Sequence, residues 1–341
     1  MPHEQTAEPA QKLISILEEA ISFLARRVQT VHLFRFVSSA QALPSSVAFA
    51  QWVRNGRLGP EPIATIAELR ATVYDQAESA SQLIAFPKVA SVVAVELAEA
   101  AVGGLRSGQV IVTYTALRGF IERTAHATAL AEALRNIKAA PLDGPLTPVL
   151  ELSEVINKAL YGTQRDWQKL VKADFRKTSA KEVKYVPKEN TADQLADNIL
   201  KAIDKLNKRV PGTRLVYEIL CEFLHPNVGD LWSSTLEGGF FVDRHGTRHL
   251  VRTLGLGPKT LKGLPDLQII NAKLLDICAD IIPQMSLALD EIDAISRVAT
   301  CLTRKYAHKV LKKNRQQFSN TDLCPCLSGL TVKACTRSRL L

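Results

Sequence analysis

Aromatic residues make up only 6% of this 341-residue chain, and glycine (17) and proline (16) are sparse too, so it lacks the residues that a many-stranded sandwich or barrel draws on. Alanine, leucine, isoleucine, glutamate and lysine are abundant instead, a balance that favours helices. A long apolar run is also missing. The least charged stretch, "FPKVASVVAVELAEAAVGGL", is interrupted by Glu96 and Glu99, well short of the ~20 apolar residues needed to span a bilayer. The opening "MPHEQTAEPAQKLISILEEAISFLARR" places acids before and within its apolar part, the pattern of an amphipathic helix and not of a secretion signal. No membrane span and a cytoplasmic location are therefore expected.

Acidic residues are almost absent from the end of the chain. From Ile295 to Leu341 ten lysines and arginines face one acid, Asp322, so the formal net charge of +9 resides entirely there. Residues 1–294 are neutral overall. A smaller basic segment, Arg165 to Lys188, is balanced elsewhere. Hydrophobic residues at 46% and charged residues at 23% are ordinary for globular proteins, and the length is sufficient for one large or two ordinary domains.

Six cysteines in a cytoplasmic chain point to thiols or metal ligands and not to disulfides. Cys221, Cys278 and Cys301 fall singly in apolar helical patterns, where a cysteine is expected to act as a small buried hydrophobe.

Helical spacing predicts an amphipathic helix through Leu13, Leu17, Ala20, Leu24 and Val28, and a long alanine-rich helix or pair that "GGLRSGQ" breaks after about Ala101. A further helix is predicted from about Ser107 to Lys138. On it Arg118, Glu122 and His126 share one face, because they stand four residues apart. A helix starting near Thr213 places Glu218, Glu222 and His225 close to one face and ends at Pro226. β-branched and aromatic runs on both sides of Asp243 to Gly246 predict a hairpin over about residues 239–253, whose Arg244, His245, Arg248 and His249 form either a solvated turn or an electropositive finger. From Leu264 the pattern is helical again, broken or kinked at Pro283, with apolar residues at Met285, Leu289, Ile292, Val298, Leu302 and Tyr306. Past Arg297 its outer face carries Arg304, Lys305, Lys309, Lys312, Lys313 and Arg315 without an acid. Such a stripe suits the phosphate backbone of nucleic acid, the plainer reading being a solvated helix face.

The last three cysteines cluster in "LCPCLSGLTVKACT", residues 323–336. A C-x-C pair with a third cysteine beyond a Ser-Gly turn can close around one metal ion, because Zn²⁺ takes four ligands tetrahedrally. The stretch resembles the SEC-C motif, the zinc knuckle at the C-terminus of the SecA translocase ATPase. Its pattern, C-P-C-G-S-G, a basic run, then Cys followed by Cys or His, is matched at Cys324, Pro325, Cys326, Ser328, Gly329, Lys333 and Cys335. Two positions depart from it. Leu327 replaces a glycine, and Thr336 stands where the fourth ligand belongs. The resemblance implies a zinc site at Cys324, Cys326 and Cys335 that needs a distant fourth group or a water, or that holds no metal.

"LRGFIE", residues 117–122, and "YEILCEFLHPN", residues 217–227, resemble the HEPN-like helical families, with a core over about residues 105–295. That resemblance implies an RNase site built on an arginine and a histidine. Here Glu218, Ile219 and Leu220 occupy the positions before His225 that should hold the arginine, which leaves His225, Arg118 and Glu122 as catalytic candidates or as a buried ion network. The expected fold is mainly α: a multi-helix domain over residues 1–294 with one short β-hairpin, a basic helix over 295–320, and a SEC-C-like cysteine knuckle over 321–341. The expected function is non-enzymatic binding of nucleic acid or a protein partner through the tail, the alternative being a HEPN-like ribonuclease or its inactive relative.

Overall fold

The computed structural model describes residues 4–28, 66–139, 155–156, 159, 167–175, 177–179, 181–184, 198–224, 235–254, 265–313, 316 and 318–337. Among these residues the chain is mainly α. Its helices are α1 (Glu4–Ala25), α2 (Ile66–Ser107), α3 (Val110–Ala139), α4 (Trp167–Lys172), α5 (Ile199–Arg209), α6 (Thr213–Leu224), α7 (Pro265–Lys313) and α8 (Val332–Arg337). The strands β1 (Thr235–Val242) and β2 (Arg248–Leu254) pair antiparallel as one hairpin.

The described residues fall into two compact units, each gathered from separated stretches of chain. The first lies within Met1–Gln29, Lys88–Ala129 and Asn198–Asp290, and the second within Thr30–Pro87, Leu130–Asp197 and Glu291–Leu341.

In the first unit α1 buries the stripe that its spacing predicts, Leu13, Leu17, Ala20 and Leu24, whereas Val28 lies past the helix end and is exposed. Each fully buried leucine contributes roughly 1.5–3 kcal/mol relative to exposure. The central part of α3 adds Leu117, Phe120 and Ile121, and the first half of α7 adds Ile281, Ile282, Met285 and Leu289. Tyr114 donates to Asn271 Oδ1 at 2.6 Å and meets the Phe223 ring edge-on, which ties α3 to both α6 and α7. Glycine decides two close approaches. At Gly104 a Cβ would sit 2.5 Å from Thr113 Oγ1, so the end of α2 can lie against the start of α3 only without a side chain. The break falls within the expected GGLRSGQ stretch, at Gly108, where φ is +66°, while Gly103 and Gly104 remain inside α2. Gly212, at φ +95°, turns α5 into α6, and Asn207 Oδ1 accepts from the Gly212 and Arg214 backbone N–H groups across that turn.

In the second unit the buried residues include Ala77, Ala80 and Leu83 of α2, Ala131 and Leu134 of α3, and a face of α7 that starts at Ile292. Arg135 reaches both carboxylate oxygens of Glu291, at 2.6 and 2.7 Å. Helix α7 runs through Pro283 without a break. Among the described residues its buried face beyond Ile292 is Ser296, Thr303, Ala307 and Leu311, whereas Val298, one of the apolar positions named from the sequence, is exposed; the side chains of Leu302 and Tyr306 lie outside the described residues. Apolar identity misled here, since the register of the buried stripe selects small polar residues over the valine. The single cysteines divide similarly. Cys278 is buried as expected, but Cys221 is only half-buried and Cys301 is exposed.

Candidate metal centre

The knuckle is built on the end of α7. Leu323 and Thr331 bridge antiparallel, with the Cys324 N–H on the Leu330 carbonyl and the Val332 N–H on the Asp322 carbonyl, both at 2.8 Å, which closes the loop that carries Cys324 and Cys326. Helix α8 then starts at Val332 and presents Cys335. Beneath the loop Ala307 and Leu311 of α7 pack with Phe318, Val332 and the three cysteines in one buried cluster. Arg304, one helical turn before His308, donates from Nε to the Cys326 carbonyl at 3.3 Å.

This docking brings a fourth donor to the cysteines. His308, Cys324, Cys326 and Cys335 place one ligand atom each within 4.8 Å of one another, with the three cysteines buried and the histidine half-buried. Cys326 Sγ stands 3.4 Å from Cys335 Sγ, and Cys335 Sγ 3.7 Å from His308 Nε2. Donors at the corners of a tetrahedron with Zn–S near 2.3 Å are about 3.7 Å apart. The cluster therefore fits a tetrahedral ion with little movement, and its donor set of three thiols and an imidazole is that of a Cys₃His zinc site. A hydrogen bond between the two thiols pushes Cys324 up and holds Cys326 down, the latter opposed by burial and helped by Ser328.

Thr336, at the expected fourth position, is turned away from a ligand role. Its Oγ1 donates to the Val332 carbonyl at 2.8 Å, within α8. The candidate fourth donor that the sequence did not single out, His308, lies sixteen residues upstream of Cys324, on a different element. A search forward from the last cysteine passes it by; the order His, then C-x-C, then Cys was the available signal.

Leu327 bears on the same loop. At the position where the SEC-C pattern has glycine, its φ is +61°, the left-handed conformation that a leucine adopts at a cost of roughly 1–2 kcal/mol. Replacing Leu327 by glycine is expected to relieve that strain and to raise metal affinity several-fold, read by competition with a chromophoric chelator. An unchanged or weaker affinity would show that the leucine's packing outweighs its backbone strain.

The other candidates separate. Arg118 pairs with Glu122 along α3 at 3.2 Å, and Tyr217 of α6 donates to Glu122 Oε1 at 2.8 Å, with the Arg118 guanidinium 5.6 Å over the tyrosine ring. Burial, and next the Glu122 carboxylate, push the Tyr217 hydroxyl up to about 12, so it stays a donor. A cross-helix partner of this network is thus a tyrosine that the sequence did not single out; Glu218 pairs with Arg214. His225 lies outside the described residues. On α7 Arg304, Lys305 and Lys312 are exposed; the side chains of Lys309 and Lys313, and the whole of Arg315, lie outside the described residues. No helix among the described residues is long and apolar enough to cross a membrane.

Comparison of the chain with protein-family models, with curated proteins and with solved structures gives no match.

Proposed function

We propose that this chain is a non-enzymatic binding protein in which a structural zinc ion locks a SEC-C-like knuckle onto the end of a basic helix, and that the resulting surface contacts nucleic acid. The observation that carries this reading is the closure of the site. Four protein donors converge, three of them buried, and a zinc ion so held has no open position for water or substrate, unlike a catalytic zinc. Its use is then to hold shape.

The shape it holds is electropositive. His308 shares its helical stripe with Arg304 and Lys312, four residues to either side, so the donor that anchors the knuckle stands within the basic stripe. Three thiolates and one Zn²⁺ sum to a single negative charge, which leaves the strongly basic tail positive. Phosphate contacts need such a surface, because each neutralised phosphate releases condensed counterions.

The test uses the zinc-loaded full chain and a labelled nucleic-acid duplex. Replacing Lys309, Lys312 and Lys313 together is expected to weaken binding about equally for all sequences and to reduce the log–log salt slope by roughly 2 to 3. Arg304 is left intact, since it holds the knuckle backbone. An unchanged salt slope would remove the tail from the interface.

A further inference from the structure

The hairpin of the first unit is built for contact on both faces. A two-stranded ribbon is marginal by itself, yet β1 and β2 leave Phe240 61%, Phe241 58%, Val242 57% and Val251 49% exposed. Their register orders the side chains. Phe240 pairs with Leu250 and Val242 with Arg248 on one face; Phe241 pairs with His249 on the other.

Each phenylalanine has a nitrogen-bearing flat partner. The Arg248 guanidinium lies 3.9 Å from the Phe240 ring centroid, and the His249 ring lies 6.1 Å from that of Phe241, tilted by 34°. The turn is equally ordered. Asp243 Oδ1 accepts from the His245 and Thr247 N–H groups, and Oδ2 meets His249 Nε2 at 3.0 Å, so the one acid of the turn is spent on local structure. His249 first, and the backbone N–H of Thr247 next, hold its carboxyl below the usual range. Gly246, at φ +81° with open space around it, completes the turn.

We propose that the β1–β2 hairpin is a stacking finger for single-stranded nucleic acid, in which Phe240 and Phe241 offer ring faces to unpaired bases and Arg244 and Arg248 meet the adjoining phosphates. Exposed aromatic faces beside guanidinium planes are the combination that binds unpaired bases without sequence preference. Charge complementarity names this occupant over a bilayer. A membrane-inserting hairpin carries its apolar residues at the tip, whereas this tip is Asp243, Arg244, His245, Gly246 and Thr247, and the phenylalanines sit behind it. The finger goes beyond the knuckle surface and rests on different residues.

The experiment measures anisotropy of a fluorescein-labelled oligothymidylate, and of a labelled duplex, with the full zinc-loaded chain. Replacing Phe240 and Phe241 by leucine keeps apolar area and strand preference but removes the ring faces. It is expected to weaken oligothymidylate binding about tenfold or more while leaving duplex affinity unchanged. The Phe240→Trp variant retains a ring face, so near wild-type affinity with base-dependent fluorescence quenching is expected, which separates stacking from loss of fold. The Lys309, Lys312 and Lys313 replacement lowers duplex binding if the tail reading holds, whatever the finger does, so the two readings fail separately. Equal oligothymidylate affinity in wild type and the leucine variant overturns the finger. Phenylalanine-dependent capture of anionic phospholipid vesicles without oligothymidylate binding overturns it too, in favour of a membrane contact.

Discussion

Replacing His308 by alanine is expected to strip the protein of its metal. The wild-type chain should purify with close to one zinc per molecule, and the His308→Ala variant should bind zinc more than ~100-fold less tightly, since loss of even a residue that merely supports a ligand costs 10–100-fold. Cys324→Ser, Cys326→Ser and Cys335→Ser should behave alike, and Thr336→Ala should not, because Thr336 Oγ1 is committed to carbonyls of its own helix. Elemental analysis gives the stoichiometry. Cobalt substitution reports the donors, as three thiolates and one imidazole around Co²⁺ give an intense tetrahedral visible band that should change in the histidine variant. Wild-type zinc affinity in His308→Ala would place the fourth ligand elsewhere.

Truncating Phe318 to alanine carries the second large effect. Phe318 is 4% exposed and packs with Leu311 of α7 and Val332 of α8, so its removal opens a cavity between the knuckle and its helix. Phe→Ala at such a site costs about 3–5 kcal/mol. Folding of a small metal-bound loop and metal binding are one equilibrium, so much of that cost should appear as zinc affinity lowered by two to three orders of magnitude. Limited proteolysis should then cut within residues 314–330 under conditions that leave the wild type intact. The control is Val298→Ala, which lies on the exposed side of α7 and is expected to change stability by no more than about 0.5 kcal/mol. A Phe318→Ala protein with unchanged zinc affinity would show that the knuckle holds its metal without support from α7.

These two variants test a coupling that spacing along the chain does not express. The knuckle read in isolation offers three metal donors and a threonine; docked on α7 it offers four. Helical periodicity governs which residues of one helix share a face, and it placed Leu13, Leu17, Ala20 and Leu24 of α1 and the α3 pair Arg118–Glu122 correctly. It cannot say which face of which other helix they meet. Tyr217 reached Glu122 for that reason, across elements ninety-five residues apart.

Legible in the chain itself were the helical class, from a scarcity of aromatics and turn residues, one hairpin around Asp243 to Gly246, three thiols held close by C-x-C and a Ser-Gly turn, and a tail that carries the whole net charge. Those are local properties, set by propensity, spacing and composition over a few residues. Tertiary structure alone decided that His308 faces the cysteines, that Val298 is exposed where Ser296 and Thr303 are buried, and that Arg304 grips the knuckle backbone. Each depends on the direction from which another element approaches, which for the knuckle is fixed by packing of Ala307, Leu311, Phe318 and Val332 into one buried cluster and is not encoded in any single stretch.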